Sequence, residues 1–304
     1  MTASTAGLVD ALSAAVPGRV RARAPLARHT SFRIGGAADV LVTPDGADEL
    51  AAVIRIAAAD GVPMTLLGGG SNVLVGDGGL RGIVVKLGAG FRRVVWEPPL
   101  VHAGAAVQLG RLARAAVERG LAGLEYAEGI PGTVGGALFM NAGAYGGEIA
   151  GAVDAVDGID AAGTVVHLER AALAFAYRRT ALPPGFVVTG VRFRLRPEAA
   201  DTLAARMADA RARRTASQPH GQSNAGSIFK NPPDDYAGRL VEAAGLKGTR
   251  IGGARISLAH GNFIVNEGDA TAADVQALMQ QAQRAVWERS GVWLEPEVRL
   301  IGSW

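Results

Sequence analysis

The sequence predicts a mixed α and β protein (α+β) with two or three domains, and three observations carry that expectation. Segments with apolar residues at helical spacing alternate loosely with segments of strand-like period. The chain has 304 residues, 49% hydrophobic and 19% charged, which is enough for more than one core and unlike a disordered chain. Glycine gathers in two segments, 67–72 and 129–147, where bare backbone rather than side chains must form the surface.

The elements follow in order. Residues 1–16 are Ala-rich, with no basic lead and no long apolar block, so they read as a short helix and not a signal peptide. The cytoplasm is the expected location, since nothing approaches the roughly 20 apolar residues of a membrane span. Ala47 to Ala59 carries Leu50, Val53, Ile54 and Ala57 on one helical face and stops at Gly61. Val62 to Leu67 and Gly82 to Leu87 read as strands. Val107 to Arg119 repeats the helical pattern and ends at Gly120. Val187 to Leu195 sets Val191, Phe193 and Leu195 against Arg192, Arg194 and Arg196, the period of a strand with one wet face. Arg196-Pro197 breaks the chain, and the main domain boundary is expected there. A helix from Glu198 to Arg214 follows, with Arg206, Arg211, Arg213 and Arg214 on a solvated face rather than on a nucleic-acid patch. Thr215 to Asn224 reads as a loop, and Asp235 to Ala244 as a helix stopped by Gly245. Thr271 to Arg289 is the clearest helix, with Thr271 and Asp274 at capping-box spacing and Gly291 at its end. A last strand, Val292 to Ile301, is expected to carry Glu297.

Two glycine segments suit an anion such as a phosphate or pyrophosphate, because backbone N–H groups left bare can point at it. The alternative is two ordinary glycine turns. Gly68-Gly-Gly-Ser-Asn-Val73 fails the dinucleotide fingerprint G-x-G-x-x-G, and no Gly-Lys-Ser/Thr follows either cluster. No Gly-x-Ser-x-Gly elbow is present, and the five His show no metal-ligand spacing. The absence of Cys excludes disulfides, Cys-ligated zinc and a thiolate nucleophile. Further on, Asn224-Ala-Gly-Ser-Ile-Phe-Lys-Asn-Pro232 combines small residues with a hydroxyl, a cation and an amide. It suits an anionic or uracil-like group at Lys230 and Asn231, or else it is a tight turn into a helix with Lys230 in solvent. Glu295, Glu297 and Arg299 share one face of the last strand, whose ordinary reading is a solvated edge.

Taken together, these segments resemble the UDP-N-acetylenolpyruvoylglucosamine reductase family. The resemblance is carried by Thr30-Ser-Phe-Arg-Ile-Gly-Gly36, Leu67-Gly-Gly-Gly-Ser-Asn72, Gly129-Ile-Pro-Gly-Thr-Val-Gly-Gly-Ala137 with Met140-Asn-Ala-Gly-Ala-Tyr-Gly146, and Tyr177-Arg178. It continues through Ala225-Gly-Ser-Ile-Phe-Lys-Asn-Pro232, Gly252-Gly-Ala254 with His260-Gly-Asn-Phe-Ile-Val-Asn266, and Leu294-Glu-Pro-Glu-Val298. The motifs stand in the family's order from about residue 28 to the end. The resemblance implies a two-part FAD-binding domain of the vanillyl-alcohol-oxidase type over residues 1–196, with sub-parts of about 20–90 and 91–196. A substrate-binding α+β domain over 197–293 and a terminal strand over 294–304 complete it.

The resemblance also implies non-covalent FAD, held by Gly68, Gly69, Gly70, Ser71, Asn72, Gly129, Ile130, Pro131, Gly132, Gly135, Gly136 and Ala137. It implies NADPH as hydride donor and a UDP-sugar substrate contacted by Tyr177, Lys230 and Asn231. Arg178, Ser227 and Glu297 correspond to the catalytic trio. Arg178 would steady an enolate carboxylate, Glu297 would hydrogen-bond it, and Ser227 would protonate the carbon. The short spacing from Arg178 to Ser227 resembles the branch without an extra substrate-capping segment. His29 and Ala259 depart from the family's usual Asn and Lys. A monomer is expected, with no nucleic-acid or membrane partner. Two rivals remain distinguishable: a flavin oxidase would form hydrogen peroxide rapidly, and a flavin-free nucleotide-sugar binder would be colourless.

Overall fold

A computed structural model describes residues 3–304. Of the helix expected over 1–16, residues 1 and 2 lie outside the described residues; the rest forms α1, Ala3–Ala15. Contacts divide the chain into two units. Unit 1 comprises the chain to Ala22, Val40–Gly69 and Gly82–Arg213; unit 2 comprises Arg23–Asp39, Gly70–Arg81 and Arg214–Trp304. A four-stranded sheet runs in the order Val20–Pro25, Ala37–Val42, Leu80–Val85, Met64–Leu66, and its last pair is parallel.

Unit 1 has two cores. One is built by α1 and α2 (Ala47–Ala59). Leu8 and Leu12 of α1 and Leu50, Val53 and Ile54 of α2 bury together with Val40, Ile83 and Val85. The apolar spacing of α2 read from the sequence is therefore its buried stripe. The other core lies under an antiparallel five-stranded sheet ordered Val165–Glu169, Val153–Ile159, Val187–Arg194, Leu100–Gly104, Val94–Glu97. Leu109, Leu112 and Ala116 of α3 (Leu109–Val117) and Val134 and Leu138 of α4 (Val134–Phe139) pack into it beside Val191 and Phe193. Arg192 and Arg194 leave that strand on its wet face, where both pair with Asp154.

Two boundaries differ from expectation. Arg196-Pro197 does not simply break the chain: it pairs antiparallel with Leu121–Ala122. Helix α5 then runs Ala200–Ser217, past the start of the expected loop at Thr215. Leu203 buries near the start of the helix against Val117 and Ala122, and the extra turn at its end is closed by Gln218 N–H donating to the Arg214 carbonyl and by His220 Nε2 at the Thr215 carbonyl.

Unit 2 is organised by α6 (Ala237–Ala243) and α7 (Ala272–Ser290). These cover a three-stranded antiparallel sheet of Arg250–Ile251, Ala254–Ile256 and Ile264–Asn266. Val275, Leu278, Met279, Ala282 and Val286 form the buried face of α7. Thr271 and Asp274 close the capping box, and Gly291 ends the helix at φ 68°, where a side chain would be strained. The last strand is shorter than expected: Arg299–Ile301 only, parallel to Val73–Val75. Pro296 has no N–H to give a ladder, and it makes an isolated bridge to Phe229 in place of a continued strand.

Candidate active site

The two glycine segments meet inside unit 1. A Cβ placed on Gly69 would lie 2.8 Å from the Cα of Gly132, and one on Gly68 would lie 2.9 Å from Thr133 Oγ1. Only glycine permits this approach. Gly129 and Gly132 have φ of 73° and 117°, in the left-handed region. Gly135 packs on Ala105, to whose carbonyl it donates at 2.9 Å. Thr133 caps α4 by accepting from Gly136 N–H, and Ala137 is on the buried face of that helix. Gly68, Gly69, Gly129, Pro131 and Gly136 are exposed, while Ile130 is half-buried. Segments far apart in sequence thus form one surface of uncovered backbone. Lys86 steadies it by donating to the Gly68 carbonyl at 3.1 Å. Burial, with Arg92 nearby, holds the Lys86 ammonium below the usual lysine pKa.

Arg178 belongs to the same unit. It stands with Tyr177 in the turn of a hairpin, Ala174–Ala176 against Arg179–Ala181. Its φ of 57° is a left-handed conformation rare for a side-chain-bearing residue. The guanidinium lies over the Tyr177 ring, 4.9 Å from its centre. Two bonds tie this hairpin to α4 and the turn just after it: Thr180 Oγ1 donates to the Leu138 carbonyl, and Asn141 Nδ2 donates to the Ala176 carbonyl at 3.0 Å. Asn141 is buried and also accepts from Ala150 N–H. The helix that begins in the second glycine segment therefore fixes the turn carrying Arg178.

In unit 2, Ser227 and Glu297 are brought together by main-chain pairing. Glu297 N–H donates to the Ile228 carbonyl at 2.8 Å, and Lys230 N–H to the Glu295 carbonyl at 2.8 Å. Buried Asn262 clamps the Ser227 side. Its backbone carbonyl accepts from Ile228 N–H, its Oδ1 from Phe229 N–H, and its Nδ2 donates to the Phe229 carbonyl. Asn72 secures the other side, donating through Nδ2 to the Glu297 carbonyl at 3.1 Å and accepting from Arg299 N–H. Gly70, at φ 66°, packs so tightly on His29 that a Cβ would sit 2.2 Å from its carbonyl oxygen. Ser31 N–H donates to the Gly70 carbonyl, and its hydroxyl to the Asn224 carbonyl at 2.7 Å. Gly226, at φ 76°, faces Ser71, whose oxygen would lie 4.0 Å from an added Cβ.

Lys230 does not point unaccompanied into solvent, since its ammonium pairs with Glu295. Asn231 accepts from Ala237 N–H at 3.1 Å and so helps start α6. Three participants escaped the residue-by-residue reading: Asn262, Ser31 and Lys86. Asn262 sat in a motif quoted only for its resemblance, and its clamp depends on a partner far away in sequence. The arginine face of α5 is solvated as expected, and its exposed side chains also form ion pairs. Arg206 pairs with Glu125 and Glu198, and Arg211 with Glu128.

Comparison with known proteins identifies the family. A family model for an FAD binding domain matches residues 38–169, and one for the C-terminal domain of UDP-N-acetylenolpyruvoylglucosamine reductase matches residues 218–301. UDP-N-acetylenolpyruvoylglucosamine reductase 2 of Symbiobacterium thermophilum is 47% identical over 287 residues, covering 94% of this chain and 93% of that protein. The Geobacter metallireducens reductase is 45% identical, covering 96% and 97%. The crystal structure of the Thermus caldophilus reductase (MurB) superposes with a TM-score of 0.80 at 39% identity, over 92% of this chain and 97% of that one. With such identity over nearly the full length of each relative, the chain belongs to the UDP-N-acetylenolpyruvoylglucosamine reductase family.

Proposed function

We propose that this protein is an FAD-dependent oxidoreductase that reduces the enolpyruvyl ether of UDP-N-acetylglucosamine to UDP-N-acetylmuramate, with NADPH as the source of hydride. The reaction is a step of peptidoglycan precursor synthesis. The backbone surface of Gly68, Gly69, Gly129 and Gly132 fits the cofactor, because glycines in contact leave no side chain to cover the amides that a pyrophosphate would use. Held there, FAD would supply the hydride-transfer chemistry that links the nicotinamide dinucleotide to the enolpyruvyl methylene carbon.

The chain's own residues handle the remaining charge and proton. As hydride reaches C3, negative charge builds at C2 and spreads into the carboxylate. Arg178, held in its strained turn, would oppose that charge. The Ser227 hydroxyl would deliver the proton to C2, and Glu297 would hydrogen-bond the developing enolate. A serine hydroxyl is a weak acid, so its placement must be strict. The observation that carries the reading is therefore the fastening of Ser227 and Glu297 to one another's segments through Ile228, Asn262 and Asn72. Tyr177, Lys230 and Asn231 are assigned to the nucleotide-sugar, with Lys230 exchanging Glu295 for a phosphate when substrate arrives.

Because nucleotide sugars and NADPH are cytoplasmic metabolites, the cytoplasm is the proposed place of action. No helix among the described residues is long and apolar enough to cross a membrane. A monomer is proposed, and loss of the enzyme would disturb cell shape and division through the missing wall precursor. The test uses the absorption spectrum. The purified protein should show flavin bands that bleach anaerobically with NADPH and return on adding the enolpyruvyl substrate. A colourless protein, or reduced flavin indifferent to that substrate, rejects the assignment.

A further inference from the structure

The second glycine segment is fastened at both ends to one helix. Downstream, Leu109 N–H at the start of α3 donates to the Gly132 carbonyl at 3.1 Å, and Val134 N–H donates to the Val107 carbonyl at 2.9 Å. Upstream, Arg114 of α3 reaches Glu128, with Nη1 lying 3.3 and 3.0 Å from the two carboxylate oxygens. Between these anchors stand Gly129 to Gly132, two of them exposed and two half-buried, and twice in left-handed backbone. Glu128 is 3% exposed. A carboxylate so buried needs strong pairing, and a second cation, Arg211 of α5, approaches its Oε1 at 3.3 Å. Arg206 of α5 binds Glu125 at the beginning of the same loop. The backbone alone gives this loop little rigidity, since Glu128 N–H and Ile130 N–H make only local turns, to Glu125 and Ala127.

We propose that Glu128, through Arg114 and Arg211, is a positioning residue that holds Gly129–Gly132 in the shape that retains FAD. It touches no reacting atom; it sets the tension of the strap whose amides face the cofactor. The inference rests on the FAD assignment above. It also gives the arginines of α5 a role that their helical spacing alone did not suggest.

The test measures FAD dissociation from the holoenzyme, followed as the rise in fluorescence when flavin leaves the protein. Glu128→Gln should release FAD about tenfold faster or more, because the neutral amide loses its hold on two guanidinium groups. Glu128→Asp should recover part of the difference. Arg211→Ala carries the inference even where Glu128→Gln fails to fold, because Arg211 is 71% exposed and its truncation empties no core. That variant should release FAD about two- to fivefold faster, the size of an exposed ion pair. Salt should speed release from the wild type more than from Arg211→Ala. A merely structural ion pair would lower the melting temperature without changing the release rate. Wild-type release rates in Arg211→Ala and in folded Glu128→Gln overturn the proposal while leaving the FAD assignment intact. A wild-type protein that holds no flavin overturns both.

Discussion

Ser227 is assigned a step for which its chemistry is poorly suited, so its neighbours must supply what the hydroxyl lacks. Asn262 spends its backbone carbonyl and both polar atoms of its side chain on the two residues after Ser227. Ser227→Ala should still allow NADPH to bleach the flavin. Reoxidation by the enolpyruvyl substrate should slow about a thousandfold or more, roughly 4 kcal/mol in the barrier, in an anaerobic stopped-flow trace. Fast reoxidation would remove Ser227 from the acid role. His260 stands behind the clamp. Its Nδ1 accepts from Asn262 N–H at 3.0 Å, which requires the neutral ring. Burial pushes its pKa below the ordinary histidine value; Glu242 pulls it back up, and Lys247 adds to the lowering. The folded protein thus binds fewer protons here than the unfolded chain. The stabilisation is complete above about pH 6.5 and is lost as pH falls through the depressed folded value. Urea midpoints should accordingly drop more steeply on acidification below pH 6.5 in the wild type than in His260→Gln; parallel profiles would refute the linkage.

Helix α7 shows what a local pattern can and cannot announce. Thr271, Asp274, the apolar stripe and Gly291 lie within one helix length of each other, and all were legible before the structure. Asp77 was not, yet its carboxylate accepts from Ala272 N–H at 2.8 Å and from Ala273 N–H at 3.0 Å. The helix start is therefore capped twice, once by its own sequence and once by a distant strand end. Thr271→Ala should cost about 1 kcal/mol, and Asp77→Ala a similar amount, both read from urea midpoints. Because the acceptors serve different N–H groups, the double variant should lose nearly the sum; a marked shortfall would show that one cap substitutes for the other. The same division explains the terminal segment. Alternation around Leu294–Arg299 promised a longer strand, but Pro296 and the Asn262 clamp on its partner leave one bridge. It explains α5 too, whose last turn is closed by Gln218 and His220 from the segment expected to be a loop.

Across the whole molecule, the site was legible wherever chemistry depended on residue type and hidden wherever it depended on contact. Stretches of glycine advertised a bare backbone, and small residues around Ser227 advertised an approachable hydroxyl. That Gly69 lies against Gly132, that Asn72 holds the Glu297 segment, and that Glu128 is buried between arginines are facts of packing that no local spacing encodes. Cofactor binding turns this distinction into a measurement. A ligand at a hundred times its Kd adds about 2.7 kcal/mol to folded stability, and the local share should fall where amides are bare in its absence. Hydrogen exchange of the flavin-stripped protein should be fast at Gly68, Gly69, Gly129 and Gly132 and slow markedly when FAD is restored. The amides of α7, which are already bonded and buried on their apolar face, should respond only through global unfolding. If protection appears instead mainly in α7 and the 250–266 sheet, the cofactor does not rest on the glycine surface. The contact between Gly69 and Gly132 would then be packing alone, and the assignment of the two segments to FAD would have to be given up.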